Sequence, residues 1–228
     1  ETPPRAILFQ WQETLLDLNA TRSAFLLVQW QCFLDELLHI PVKNYIDTVL
    51  QAYADCGTAQ SAYLKACQTL RLPTALAEEL AHHALEHQAQ HPRLCPGAIN
   101  LLRVLSRSYQ IGLLAPGKAS QLQQELLLSG LGTYVHETVT TESEGFPLND
   151  PQLIQRLLKK MGIRVSEAVL LATTAERSLC AGAQLGMRLI WKRDKPGETT
   201  PVPAPCAILD ELRDLPHALR DLAGVAAG

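Results

Sequence analysis

Short apolar runs that alternate with helical periodicity constrain this chain more than any other feature of its sequence. Three such runs stand out, at residues 6–9, 110–114 and 168–172. They are almost continuously apolar, which is typical of parallel strands that are covered on both faces. Further runs at 187–191 and about 134–140 predict two more strands, and 207–209 would add an edge strand. We therefore predict an α/β fold, with a Rossmann-like, mainly parallel sheet and flanking helices.

The stretch from about 19 to 90 differs, because it contains no clear strand. Its pattern predicts about four helices that are broken at Pro41, Gly57 and Pro73. A helical block in this position is expected to be a cap inserted after the first strand. The predicted division is a core of residues 1–17 and 93–228 and a cap of residues 18–92. A segment rich in proline and threonine, at 195–205, is predicted to be a surface loop.

Composition excludes several classes of protein. With 228 residues, of which 47% are hydrophobic, the chain has enough apolar material for a substantial core. A net charge of −3 gives no electrostatic reason to expect nucleic acid or a membrane surface as the main partner. No apolar run approaches the roughly 18 residues of a spanning helix. The sequence starts at Glu1 and shows no targeting segment.

The cysteines are scattered and lack the spacing of a zinc site or a redox pair. We expect them to be buried free thiols, which favours a reducing compartment and a cytoplasmic protein. They are Cys32, Cys56, Cys67, Cys95, Cys180 and Cys206.

Four local motifs follow one another along the chain. They are AILFQWQETLLD at 6–17, LCPG at 94–97, SGL at 129–131 and AGAQLGM at 181–187. In order and spacing they resemble the haloacid dehalogenase (HAD) superfamily, in its branch with a helical cap. That family ends its first strand in Asp-x-Asp-Gly-Thr-Leu, begins a helix at Leu-Tyr-Pro-Gly, and carries a late Gly-Ala-x-x-x-Gly-Met element. The resemblance covers residues 6 to about 191.

The resemblance also shows which reactive groups are changed. In the family, an aspartate at the end of the first strand forms a covalent ester, and an acid two residues later protonates the leaving group. The matching positions are Gln10 and Gln12, whose neutral amides can do neither.

Four further motif positions are changed as well. Ala115 stands where the family has a phosphate-binding Ser or Thr, and Leu148 stands where it has a lysine. Thr174 and Leu179 replace the two aspartates that complete the magnesium site. The resemblance therefore implies that the chain uses no cofactor and that magnesium binding is lost.

Two other residues are candidates for a remaining pocket. Trp11 would lie between the two glutamines at the mouth of the pocket, where its indole would fill the vacated site or stack on a ligand. Lys118 follows the second strand closely and could supply a positive charge.

These changes predict a catalytically inactive pseudo-phosphatase, not an enzyme, that binds an unknown protein partner or a small ligand in a regulatory or structural role. The alternative is a HAD-like hydrolase or phosphatase of a small phosphorylated metabolite, with non-standard catalytic residues. It would need a carboxylate at the pocket, and the candidates are Glu13, Asp17, Glu144 and Asp150. A third interpretation is a structural subunit of a larger assembly.

Three histidines, His83, His87 and His91, recur every four residues and would share one face of a helix. No acidic or cysteine partner accompanies them, so a solvated polar face is favoured over a metal site.

Overall fold

A computed structural model of the chain describes residues 3–174, 178–193 and 204–224. The predicted loop at 195–205 lies outside these ranges, except for its last two residues. In the described part, six strands form one parallel sheet in the order β3-β2-β1-β4-β5-β6. The strands are β1 (Ala6–Gln10), β2 (Gln110–Ala115), β3 (Glu137–Thr140), β4 (Ala168–Ala172), β5 (Arg188–Lys192) and β6 (Ala207–Leu209). The predicted α/β fold with a mainly parallel sheet is confirmed.

The helices divide between two compact units. The helical unit, Leu18–Arg93, contains α1 (Leu18–Cys32), α2 (Leu34–Leu37), α3 (Val42–Cys56), α4 (Ala59–Leu70) and α5 (Thr74–His87). The sheet unit, Glu1–Asp17 with Leu94–Gly228, contains the strands and the remaining helices. Those helices are α6 (Ala98–Leu105), α7 (Ala119–Ser129), α8 (Thr141–Glu144), α9 (Pro151–Met161), α10 (Cys180–Gln184) and α11 (Leu215–Gly224).

The unit boundary differs by one residue from the division drawn from the sequence, because Arg93 belongs to the helical unit. Its backbone N–H donates to the hydroxyl of Thr21 at 2.9 Å, which ties it to α1. Within this unit, Pro41 and Pro73 precede α3 and α5, and Gly57 ends α3 in a left-handed conformation with φ +75°. These are the three breaks that the sequence predicts.

Strand β1 is buried throughout and lies between β2 and β4. Its residues alternate between two apolar clusters, since successive side chains of a strand point to opposite faces. Ile7 and Phe9 pack with α6, α7 and α11, whereas Ala6 and Leu8 pack with α9 and α10. Both faces of the sheet are thus covered, which explains why the strand sequences are continuously apolar.

A glycine sets how closely α10 approaches the sheet. A Cβ atom at Gly182 would lie 2.7 Å from a methyl group of Leu170 on β4 and 2.8 Å from one of Leu189 on β5. A side chain there would force both leucines to shift. This requirement gives a physical reason for the glycine of the AGAQLGM motif.

A buried amide organises the core of the helical unit. The Gln29 side chain is fully buried, and its Nε2 donates to the Leu80 carbonyl at 2.8 Å. Its Oε1 accepts from the hydroxyls of Tyr45 at 2.8 Å and Tyr63 at 2.6 Å. Both tyrosines are also fully buried, so one glutamine satisfies two hydroxyl groups that water cannot reach.

The three histidines do not form a fully solvated face. His83 is half-buried, with its ring stacked on Phe25 at a centroid distance of 5.5 Å and edge-on to Phe33 at 5.4 Å. His91 lies beyond the end of α5, so it does not share the helix with His83 and His87. The expectation of a simple polar face is wrong because aromatic side chains of the same unit pack against this end of α5.

The cysteines are all free thiols, but Cys67 alone among them is buried, and Cys32 and Cys206 are exposed. The expectation that all would be buried is therefore wrong. Apolar neighbours in sequence do not determine burial, because adjacent side chains of a helix or strand point in different directions. Among the residues that the structure describes, no helix is both long enough and apolar enough to cross a membrane.

The Glu125 carboxylate is buried next to Trp11, the first residue after β1. Glu125 on α7 is 4% exposed and accepts a hydrogen bond from the indole Nε1 of Trp11 at 2.6 Å. Gln121 donates a second at 3.3 Å. Burial raises the pKa of the Glu125 carboxyl above its ordinary value, because two neutral donors do not replace the water lost by the charged form.

The Gln29 network predicts a large effect on stability. Replacement Gln29→Leu removes the acceptor that the two buried tyrosine hydroxyls share, and a buried polar group that loses its partner costs about 1–3 kcal/mol. We expect the free energy of unfolding to fall by about 3 kcal/mol, as measured by urea denaturation followed by circular dichroism.

The matched control removes the hydroxyls as well. The triple variant Gln29→Leu/Tyr45→Phe/Tyr63→Phe should recover much of the loss, because the two hydroxyls that bonded to Gln29 are then absent. A triple variant that is less stable than Gln29→Leu alone would contradict this account.

Glu125 predicts a pH dependence of stability. Since its folded-state pKa is raised, the unfolded chain loses this proton first, and stability falls as pH rises from the ordinary glutamate pKa through the folded-state value. The variant Glu125→Gln keeps an acceptor for Trp11 without a charge. It should therefore unfold at a higher temperature than the unmodified protein at pH 8 and at a similar temperature at pH 4, by calorimetry. Equal differences at both pH values would exclude this contribution.

Candidate functional site

The carboxyl ends of β1, β2, β3 and β4 meet at one edge of the sheet, because these strands are parallel neighbours. In folds of this kind, ligands bind outside the carboxyl ends of the strands. The loops that follow β2 and β3 are joined there, since the Gly117 N–H donates to the Thr141 hydroxyl at 2.9 Å. The loops that follow β1 and β4 carry most of the sequence-predicted positions.

Two of those positions contact each other directly. Gln10, the last residue of β1, is 1% exposed, and its Oε1 accepts from the Thr174 hydroxyl at 3.0 Å. Its Nε2 is buried and has no hydrogen-bond partner among the described residues. Such a group costs free energy unless something binds it. The Gln10 Nε2 is therefore a buried N–H donor that is unsatisfied by the described residues.

A pair of threonine hydroxyls connects the same two loops. Thr14 is fully buried, and its Oγ1 is 3.3 Å from the Oγ1 of Thr173. The Thr173 hydroxyl reaches the carbonyl oxygen of Glu13 at 3.2 Å, and the Thr173 carbonyl accepts from the Trp191 indole at 2.9 Å. These bonds connect the loop after β1 to the loop after β4 and fix both.

Glu13 has an unusual backbone conformation. Its φ is +66°, in the left-handed region, although it is not a glycine. Its N–H donates to the Leu16 carbonyl at 2.7 Å, and its carbonyl accepts from Thr173, so the loop holds it there. The conformation costs about 1 kcal/mol or more for a residue with a side chain. In the motif that the sequence resembles, this position is a glycine.

Three motif positions are filled by apolar packing. Ala115 is buried in the cluster of α6, α7 and α11. Leu148 and Leu179 are buried in the cluster of α9 and α10. The places expected for a lysine and a second aspartate are therefore part of the hydrophobic core.

The two pocket candidates lie in different surroundings. Trp11 is buried, packs in the cluster of α6, α7 and α11, and bonds to Glu125. Its indole thus points into the core beside α7 and does not lie at a pocket mouth. Lys118 is exposed at the start of α7, directly after the β2 loop. A role for either residue in ligand binding stays a prediction.

Among the four carboxylates proposed from the sequence, three are already engaged. Glu144 pairs with Lys160 at 2.6 Å, and Asp150 accepts from the Gln152 N–H at 2.8 Å to cap α9. Asp17 also has an interaction partner. The Glu13 side chain is half-buried, and no described residue bonds to its carboxylate.

Sequence reasoning named Glu13 as one of four candidate carboxylates, and it missed Thr173 and Glu125. The strained backbone of Glu13 was not predicted, although a glutamate at a glycine position of a tight loop gives that signal. Thr173 and Glu125 gave no such signal, since their partners are 160 and 114 positions away along the chain.

The similarity of this chain to known proteins lies in its fold. No family model matches the sequence, and no curated protein does. Solved structures do match, at low identity. The L-2-haloacid dehalogenase from Xanthobacter autotrophicus, with chloropropionic acid covalently bound, is 14% identical with a TM-score of 0.73, over 96% of this chain and 100% of that chain.

Two other similar structures have different ligands or activities. The candidate HAD-hydrolase YfnB from Bacillus subtilis, bound to magnesium, is 17% identical with a TM-score of 0.73, over 96% of this chain and 99% of that chain. A HAD phosphatase from Thermococcus onnurineus is 20% identical with a TM-score of 0.64, over 94% and 97% of the two chains.

These matches correct the prediction that the chain is not an enzyme. The similar structures are dehalogenases and phosphatases, and they are matched over nearly their whole length. The changed side chains at motif positions predict a loss of catalysis, but nothing in the fold shows that loss. The predicted resemblance is confirmed at the level of architecture: this chain has the fold of the haloacid dehalogenase superfamily.

Proposed function

We propose that this protein is a HAD-like hydrolase of a small phosphorylated metabolite, in which Glu13 supplies the reactive carboxylate. The observation that carries the proposal is the left-handed backbone of Glu13, at φ +66°, in the loop after β1. Strained residues persist where the surrounding structure fixes them, and they cluster at active sites. The similar dehalogenases and phosphatases favour hydrolysis as the reaction class.

The environment of Glu13 suits a general base. Its carboxylate is half-buried, so one side remains accessible to water, and the Thr173 hydroxyl holds its carbonyl in place. In the reaction, Glu13 takes a proton from a water molecule while the water oxygen bonds to phosphorus. The bond from phosphorus to the leaving oxygen breaks, and the leaving group keeps its electron pair. No covalent enzyme intermediate is required.

Two groups at the same edge of the sheet suit a phosphate. The unpartnered Nε2 of Gln10 is an N–H donor without a charge, so it can bond to a phosphoryl oxygen. Lys118 carries a positive charge at the N-cap of α7, where no side chain caps the first N–H groups in the described structure. Phosphates bind well at such helix ends.

Magnesium does not fit the donor set that the described residues provide. Gln10 and Thr174, at two positions of the family's metal site, present neutral oxygens that are hydrogen-bonded to each other. Leu179 at the third position is fully buried among apolar side chains. Magnesium binds through carboxylates and phosphates. The proposed reaction therefore runs without a protein-bound metal.

The proposal predicts hydrolysis of 4-nitrophenyl phosphate and of small phosphorylated metabolites, unchanged by EDTA. The variant Glu13→Gln should lower kcat by roughly 10²- to 10⁴-fold, since the amide cannot accept the water proton. Phosphate release is the measurement. Absence of turnover by the unmodified protein over a broad panel would refute the proposal.

A glycine variant distinguishes loss of the Glu13 carboxylate from loss of protein stability. Glu13→Gly should lose activity like Glu13→Gln, yet be as stable as the unmodified protein or more stable by up to about 1 kcal/mol, because the strain is relieved. Arg71, at φ +57° after α4, is the matched control, since it is the other described non-glycine residue with positive φ. Arg71→Gly should relieve strain in the same way and leave kcat unchanged.

Gln12 predicts which substrates react fastest. Its amide cannot protonate a leaving group, so aryl phosphates, which release a stable phenolate, should react faster than alkyl phosphates. The variant Gln12→Asp restores an acid and should raise alkyl phosphate hydrolysis by about 10²-fold, whereas Gln12→Asn should not. A kcat/KM that is independent of the leaving group in the unmodified protein would contradict this.

A further inference from the structure

Trp11 connects the loop that carries Glu13 to the rest of the sheet unit. Its N–H donates to the Leu114 carbonyl of β2 at 2.8 Å. Its carbonyl accepts from the N–H groups of Leu15 at 3.1 Å and Leu16 at 3.0 Å, which closes the loop around Glu13. A shift of Trp11 would therefore move both ends of this loop.

The side chain of Trp11 has one polar atom, and one residue binds it. The indole Nε1 lies 2.6 Å from a carboxylate oxygen of Glu125, within a cluster of buried apolar side chains. Gln121, one helical turn before Glu125 on α7, donates to the other carboxylate oxygen at 3.3 Å. Both groups that face the carboxylate are uncharged donors, and the bond from Trp11 is the shorter of the two.

We propose that Glu125 is a positioning residue, which fixes Trp11 and through it the loop that presents Glu13. Glu125 itself lies in the core and does not contact the reacting atoms. The claim that Glu125 fixes the position of Trp11 depends only on the hydrogen bond between them. The claim that this affects kcat rests on the proposed hydrolase function.

Position 125 needs a side chain that accepts a hydrogen bond from the Trp11 indole, and not only one that fills the space. An apolar residue of similar size would fill the volume but leave the indole N–H unsatisfied in the core, which is unfavourable. Glutamine would keep an accepting oxygen. The two replacements therefore separate acceptance of the hydrogen bond from simple packing.

The test compares Glu125→Leu with the conservative control Glu125→Gln by two measurements. The first is hydrogen exchange of the tryptophan indole N–H groups, measured by NMR. Trp30 is the internal reference, since its indole bonds to the carbonyl of Ile40 in the helical unit. The second is kcat and KM for 4-nitrophenyl phosphate.

In Glu125→Leu we expect the Trp11 indole to exchange at least about tenfold faster, while the Trp30 indole is unchanged. We also expect kcat to fall by about tenfold or more, with KM within about twofold, because a displaced catalytic group slows the reaction more than it weakens binding. Glu125→Gln should stay close to the unmodified protein in both measurements.

A second variant serves if Glu125→Leu does not fold. Trp11→Phe removes the donor and keeps an aromatic ring, and it should lower kcat to the same extent as loss of the acceptor. The double variant Trp11→Phe/Glu125→Leu should then be no slower than Trp11→Phe alone, since both changes remove one interaction.

Different results would contradict the positioning role of Glu125 and the proposed hydrolase function. Unchanged indole exchange in Glu125→Leu, or an equal loss of kcat in Glu125→Leu and Glu125→Gln, would overturn the positioning role. Absence of hydrolysis by the unmodified protein would overturn the proposed function and the kinetic part together, and the indole exchange alone would then decide whether Glu125 fixes Trp11.

Discussion

The hydrogen-bonded position of β1 between β2 and β4 is the constraint on which the sheet unit depends. Because its five residues are buried, their side chains must alternate between two apolar clusters, and no polar residue fits until the strand ends. The first polar residue is Gln10, at the end of the strand. From there the bonds of Trp11, Thr14 and Thr173 hold a short polar loop in one arrangement. The candidate site forms where this fully buried strand reaches the edge of its sheet.

The fold could be predicted because its signals are local. Continuous apolar runs give the strands, and Pro41, Gly57 and Pro73 give the breaks between helices. Boundaries were less accurate, since hydrogen bonding and not hydrophobicity ends an element. The third strand, for example, begins at Glu137, after a 3-10 turn at Gly132–Tyr134.

The candidate site was predicted in part. Gln10 and Thr174, which are 164 positions apart, were both identified from motif spacing, and they do form a hydrogen bond. The orientation of Trp11 could not be foreseen, because it depends on Glu125, and a buried carboxylate on a helix is not distinguishable in sequence from an exposed one. The conclusion that changed motif residues mean an inactive protein also went too far. It gave more weight to the groups that are absent than to Glu13, one of the four candidate carboxylates, which has a left-handed backbone.

The two leucines in the core have a consequence for how such a chain can change over time. Leu148 and Leu179 lie among tightly packed apolar side chains. An ionised residue at either place would be buried without a counter-charge, at a cost of several kcal/mol, which is comparable to the whole stability of a small domain. The introduction of a charged side chain at either position would therefore require neighbouring side chains to be exchanged together. Single substitutions towards such a side chain are disfavoured by the packing around these two leucines.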